Sequence, residues 1–191
     1  MARNAQDTKR RIFEAATTEF AEHGIAGARV DRIAARAGAN KQLIYAYFGS
    51  KRYLFEAVVS AHVCRYVEQV PFDAEDLPGY AGATFDYFTA HPELSRLGAW
   101  HSLEPGEADH RIPVIEHAIR ARTRLVARAQ KEGRVDGSIA AAELLSLLTT
   151  AAGSWAVATP ERNPGNGASR REVARRRAAV VEAARRLTST T

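Results

Sequence analysis

Residues 29–51, RVDRIAARAGANKQLIYAYFGSK, decide how the N-terminal part of this chain folds. Val30, Ile33, Ala34 and Ala37 fall at i, i+3, i+4 and i+7, the apolar face of a short helix. Gly38 follows, where a left-handed residue closes a helix. Asn40 is a good N-cap for a second helix over residues 41–48. That helix turns Ile44 and Phe48 inward and leaves Lys41, Gln42, Leu43, Tyr45 and Tyr47 to face outward. Two short helices joined by a tight turn make a helix-turn-helix, whose second helix enters the DNA major groove.

Composition agrees with that reading. The chain has 191 residues, 46% of them apolar, enough for a substantial core in one domain or two small ones. A net charge of +5 permits a nucleic-acid partner without demonstrating one. The distribution is more telling: residues 1–55 carry ten Lys/Arg against five Asp/Glu, and the rest of the chain is balanced. An excess confined to a helix-turn-helix favours phosphate contact. The single cysteine, Cys64, excludes an intramolecular disulfide and fits a reducing cytoplasm. It reads as a small buried hydrophobe on the fourth helix. The start, MARNAQDTKRR, lacks the apolar segment of a signal peptide. Residues 139–158 are apolar over about the length of a membrane span. Glu143, Ser146, Thr149, Thr150, Gly153 and Ser154 interrupt them, and the segment is read as a helix buried in protein, with no membrane partner.

No stretch alternates in the manner of a strand, and the fold class expected is all-α with about nine helices. Ser50 caps a fourth helix that runs to about Val70, and residues 71–78 form a loop. A fifth helix presents Leu77, Tyr80, Ala81, Thr84 and Phe88 on one face. His91-Pro92 marks a stop and restart, with Pro92 at the favoured first helical position. A sixth helix ends near Leu103, and a seventh runs from about Ile112 to Lys131 and closes at Gly133. Ser138 caps an eighth that reaches about Ala158, and a ninth spans about residues 170–187 after a Pro/Gly/Asn-rich loop.

The first 55 or so residues resemble the DNA-binding domain of the tetracycline-repressor (TetR) family. Helix one carries Ile12, Phe13, Ala16 and Phe20 and ends at Gly24, similar to the family's I-x-x-A-A-x-x-x-F-x-x-x-G stretch. Val30, Ile33, Ala34 and Gly38 come next, and residues 43–54, LIYAYFGSKRYL, are similar to L-Y-x-H/Y-F-x-S-K-x-x-L. The resemblance implies a helix-turn-helix domain over residues 1–50 and a helical ligand-binding and dimerising domain over 51–191. Beyond the fourth helix it is a likeness of helix order, with a weak match at Ala129-Gln130-x-x-Gly133-Arg134. Arg29 departs from the usual Thr or Ser cap; it cannot accept an amide and is expected to reach a phosphate. Leu43 replaces a small or polar residue and can touch a thymine methyl but not hydrogen-bond a base.

Lys41 and Gln42 sit at the N-terminal end of the recognition helix, where base edges are reached first. Lysine donates to guanine and glutamine pairs with adenine. Tyr45, Tyr47 and Lys51 are the phosphate contacts that the resemblance implies. The second domain is expected to hold a small-molecule effector against Phe88, Trp100 and Trp155, with His101 as the polar handle. Helices eight and nine are expected to dimerise through Leu144, Leu148, Val173, Val180, Ala184 and Leu187. The function expected is a cytoplasmic homodimeric repressor that binds a palindromic double-stranded DNA operator and is released by ligand, with no cofactor and no metal.

The rival readings are a constitutive architectural DNA binder and an α-helical enzyme. For the enzyme, HExxH, CxxC, G-x-S-x-G and the Gly-rich phosphate loops are all missing. His110, Asp109, Glu116 and His117 lie close in sequence, but Pro113 separates the two histidines. The enzyme reading rests on nothing specific.

Overall fold

The computed structural model describes residues 2–103, 112–157 and 168–190, with side chains from residue 5 onward. Its helices among the described residues are α1 (Ala2–Gly27), α2 (Val30–Ala37), α3 (Lys41–Phe48), α4 (Lys51–Gln69), α5 (Leu77–Ala90), α6 (Pro92–Leu103), α7 (Pro113–Lys131), α8 (Ala141–Gly153) and α9 (Arg170–Thr188). All regular structure there is helical, as the periodicity required.

Two compact units form. The first contains α1–α3, α4 as far as Val63, and α6. Its core is built from Ile12, Ala16 and Phe20 of α1, Ile33 of α2, Ile44 of α3, Leu54, Phe55 and Val58 of α4, and Leu97 of α6, all buried. Phe20 meets Phe55 edge to face, with ring centroids 5.2 Å apart. The expected end of helix one at Gly24 is real as a break: Gly24 has φ 65° inside α1, and the chain resumes helical form to Gly27. Trp100 of α6 packs against that break, and its Nε1 donates to the Ala21 carbonyl at 3.3 Å. A Cβ on Gly24 would stand 2.8 Å from the Trp100 ring, so this glycine serves both the backbone turn and the close approach. α3 ends at Phe48, and the packed unit that contains it is larger than residues 1–50, because α4 and α6 complete its core.

The second unit holds α4 from Cys64, α5, and α7–α9. The face expected for α5 is buried at Leu77, Tyr80, Ala81, Thr84 and Phe88. α5 packs against α8 and α9, and α7 against α8. Gln130 of α7 secures the following loop, its Nε2 donating to the carbonyls of Asp136 and Ile139 at 2.8 Å each. Arg134 in that loop pairs with Glu75 and Glu132. These contacts give physical content to the Gln130 and Arg134 positions that the resemblance picked out.

Three sequence expectations need correction. α8 begins at Ala141 and ends at Gly153, shorter than the span to residue 158. Ser138 does not cap it: the Ser138 amide and hydroxyl are both engaged by Asp136, in a turn that precedes the helix. Cys64 is exposed rather than buried, because it lies off the α4 stripe formed by Leu54, Phe55, Val58, Val59, His62 and Tyr66. Among the described residues, no helix is long and apolar enough to cross a membrane.

Gly24→Ala tests the break in α1. Alanine at φ 65° and against Trp100 should cost about 1–3 kcal/mol, read as a lower denaturant midpoint. Unchanged stability would show that α1 and α6 can shift apart without loss.

Candidate nucleic-acid interface

The α2–turn–α3 segment is built locally as its residue types dictate. Gly38 is left-handed at φ 58°, ψ 40°, and closes α2 through bonds to Ala34 and Ala35. Asn40 caps α3, its Oδ1 accepting from the Gln42 amide at 2.8 Å. Ser50 does the same for α4, accepting from the Tyr53 amide at 3.1 Å. Val30, Ile33, Ala34 and Ala37 are all buried. Ile44 is buried as expected, whereas Phe48 is only half-buried, with the Lys9 ammonium 5.7 Å above its ring.

At the start of α2 the structure adds a residue that sequence reading passed over. Arg29 offers no side-chain cap. Glu19 of α1 holds the helix start instead: its Oε1 accepts from the Arg29 amide at 2.8 Å and from Arg32 Nε at 2.7 Å. Arg32 Nη2 stands 2.6 Å from the same oxygen and 2.9 Å from the Gly27 carbonyl. Glu19 is 1% exposed. Burial pushes its carboxyl upward, but the Arg32 bonds, the Arg29 amide and the nearby His23 outweigh burial and hold it below the ordinary carboxylate range. The signal was present in the sequence: Ile12, Ala15, Ala16, Glu19 and Phe20 occupy one helical stripe, and a carboxylate on a buried stripe requires a partner.

The outward residues of α3 are where the pattern placed them. Lys41 is exposed and pairs with Asp31 of α2 at 2.9 Å, which lowers the Asp31 carboxyl and raises the Lys41 ammonium. Gln42 is exposed, its Oε1 accepting from Asn40 Nδ2 at 3.2 Å. Tyr45 is exposed, while Leu43 and Tyr47 are half-buried, Tyr47 edge-on to Phe48. The Arg29 side chain is exposed. Lys51 is half-buried at the start of α4, its Nζ donating to the Ala28 carbonyl at 3.1 Å. The Lys51 ammonium therefore stands beside the start of α2, with further donors available.

This geometry agrees with the comparisons. Residues 12–58 match the family model of tetR-family bacterial regulatory proteins, and residues 76–186 match the tetracycline-repressor-like C-terminal domain. The chain belongs to the TetR family. It is 47% identical over 162 residues to the HTH-type transcriptional repressor SCO4008 of Streptomyces coelicolor, covering 84% of this chain and 83% of that one. The crystal structure of the transcriptional regulator SCO4942 of Streptomyces coelicolor superposes with a TM-score of 0.81 at 38% identity, over 96% of this chain and 99% of that one. FadR of Bacillus subtilis, solved with stearoyl-CoA, shares the fold, with a TM-score of 0.71 at 14% identity over 91% and 96% of the two chains. The protein is a DNA-binding transcriptional regulator of the TetR family.

The other expected sites fare differently. The four residues expected to line one TetR-type ligand pocket are not brought together within either unit. Trp100 and His101 belong to the first, where Trp100 packs on α1 and His101 lies 6.3 Å from Phe55. Phe88 and Trp155 belong to the second, stacked on Tyr66 and edge-on to Phe85 respectively. Burial lowers the His101 imidazole, against an opposing pull from Glu56. Among the residues expected at a dimer interface, Leu144, Leu148, Val180 and Ala184 are buried inside the single chain. α8 packs there on α5, α7 and α9, and α9 on α5 and α8, so these side chains are covered within the second unit. Val173 and Leu187 are half-buried. His110 and Asp109 lie outside the described residues; Glu116 pairs with Arg120, and no metal-binding cluster occurs among the described residues.

Glu19→Gln should cost roughly 1–3 kcal/mol at neutral pH, because the bonds to Arg32 and the Arg29 amide lose their charge assistance. A carboxyl held low stabilises the fold above its unfolded value and loses that contribution as pH falls through its folded value. The difference between the variant and the parent should therefore vanish below the ordinary carboxylate range. A difference independent of pH would mean that Glu19 acts by shape alone.

Proposed function

We propose that the protein is a homodimeric repressor that seats one α3 helix of each subunit in successive major grooves of a two-fold symmetric operator, and that a small molecule bound to the second unit releases it. The observation that carries this reading is the exposed face of α3, with Lys41, Gln42 and Tyr45, on a helix fixed by its own caps and by the Glu19 clasp behind α2. In this reading Lys41 and Gln42 read base edges and Leu43 touches a thymine methyl. Arg29, Tyr45, Tyr47 and Lys51 hold phosphates. Two-fold symmetry places the groove entries about 34–36 Å apart, or a multiple of that.

Relief by ligand is supported by the presence of a separate helical unit and by FadR of Bacillus subtilis, a protein of this fold solved with stearoyl-CoA. The energetic demand is small: a ~100-fold loss of operator affinity takes about 2.8 kcal/mol of differential binding. Dimerisation is assigned to the outer faces of α8 and α9. On α8 those are Ala142, Ser146, Thr150 and Leu147, the last 49% exposed. On α9 they are Ala178, Ala179 and Ala183, flanked by Arg175 and Glu182. Small residues of this kind allow close approach of two helices.

Lys51→Ala and Gln42→Ala separate the two kinds of DNA contact. The first should weaken binding evenly across sequences and reduce the slope of log affinity against log salt by about one per site. The second should cost roughly 1–3 kcal/mol per half-site on the preferred sequence and little on variants at one base position. Equal losses on every sequence for both would remove the base-reading role of Gln42.

Light scattering should give about twice the 20.9 kDa chain mass at micromolar concentration. Val180 lies inside the chain, so the informative change is Leu147→Glu, which should yield a folded monomer. A dimer that survives it would place the interface elsewhere.

A further inference from the structure

In the second unit, Arg122 of α7 sits among three aromatic rings. Its Cζ lies 5.0 Å from the ring centroid of Tyr66, 5.3 Å from Phe72 and 5.2 Å from Tyr80. Its Nη1 donates to the Tyr80 hydroxyl at 3.0 Å. From there a chain of hydroxyls runs inward: Tyr80 to Tyr66 at 2.7 Å, and Tyr66 to Thr84 at 3.1 Å. Arg122 can only donate, so the Tyr80 oxygen accepts from it, while either hydroxyl can donate in the Tyr80–Tyr66 and Tyr66–Thr84 pairs. Tyr66, Tyr80 and Thr84 are buried, and Arg122 and Phe72 are half-buried at the outer end.

The cluster leaves a charge unbalanced. Arg122 makes no ion pair with any described carboxylate, and the Tyr80 hydroxyl is its one hydrogen-bond acceptor among the described residues. The Tyr66 phenol does not supply the missing anion: burial, reinforced by the adjacent Tyr80, drives it well above the ordinary tyrosine range, so it stays neutral. Ring faces offset part of the desolvation cost of a cation but leave most of the guanidinium's N–H donors unused. Half-buried charges of this kind are ordinarily paired. The rings also hold the side chain in place, so little ordering remains to be done when a partner arrives.

We propose that Arg122 anchors an effector site for a small organic carboxylate with an aromatic body, the carboxylate pairing with the guanidinium and the ring lying against Phe72. The ligand class follows from the charge. A planar guanidinium matches a carboxylate bidentately, a neutral compound gains nothing from the positive charge, and a cation is repelled by it. The proposal deepens the ligand-released reading above and rests on it.

The test uses the full chain and three probes of one shape: 2-naphthoate, 2-naphthamide and 2-naphthylmethylammonium, titrated calorimetrically. The parent should bind naphthoate roughly ten- to hundredfold more tightly than either analogue, the range of a charge-assisted hydrogen bond. Arg122→Gln should erase that preference, and Arg122→Lys, which keeps the charge but not the fork, should retain part of it. Should Arg122→Gln fail to fold, Tyr80→Phe, which removes the acceptor that orients Arg122, should reduce the preference instead. Equal affinity for the acid and the amide, no saturable binding of naphthoate, or an undiminished preference in the folded variants would overturn the assignment. Operator mobility shifts separate the two readings. Naphthoate bound through Arg122 with operator affinity unchanged would sink ligand release and leave the anion site standing. Release by a compound that Arg122→Gln binds as well as the parent would keep ligand release and remove this site.

Discussion

The DNA-reading part of this protein depends on one buried carboxylate. Glu19 lies on the apolar stripe of α1, where an unpaired charge would cost more than the small unit around it could bear. It is tolerated because Arg32 and the Arg29 amide converge on the same oxygen. That convergence fixes the start of α2 against α1. The tight turn at Gly38 and the Asn40 cap then fix α3 against α2, so the direction in which Gln42 and Tyr45 face is inherited from the Glu19 contact. A hydroxyl at position 29 would accept from the amide of residue 31 or 32, a different group, and would not tie the helix start to α1. The arginine at 29 leaves that cap unmade, the Glu19 contact holds the helix start instead, and the Arg29 side chain stays exposed.

A second constraint is steric. α1 breaks at Gly24, and the break admits the Trp100 indole, which donates to the Ala21 carbonyl exposed there. A segment some 75 residues further along the chain therefore becomes part of the helix-turn-helix unit, although the chain passes through α5 of the other unit before returning. Here α4 runs through both units, and α6 belongs to the first.

What could be read in advance was local. The α2 stripe, the left-handed glycine, the caps at Asn40 and Ser50 and the buried face of α5 all follow from spacing within one or two turns, and each is found as read. What could not be read was pairing across the fold. Periodicity identifies that Leu144, Leu148, Val180 and Ala184 are buried but not by what, and they pack within one chain rather than between two. The same limit separates Trp100 and His101 from Phe88 and Trp155: composition groups them as aromatic residues of the C-terminal part, while packing divides them between units. Arg122 escaped notice because an arginine on an amphipathic helix reads as solvated surface. Its rings come from α4, a loop and α5, so no sequence window contains the cage.

The central claim is that two copies of a rigidly held α3 read DNA with two-fold symmetry. Selecting bound duplexes from a random pool with the unmodified protein, at near-physiological salt, tests it most directly. The account predicts an enriched sequence with two inverted half-sites whose centres are about one helical turn, or a whole multiple of it, apart. Enrichment of a single unsymmetrical site, or no enrichment over the starting pool, would contradict it.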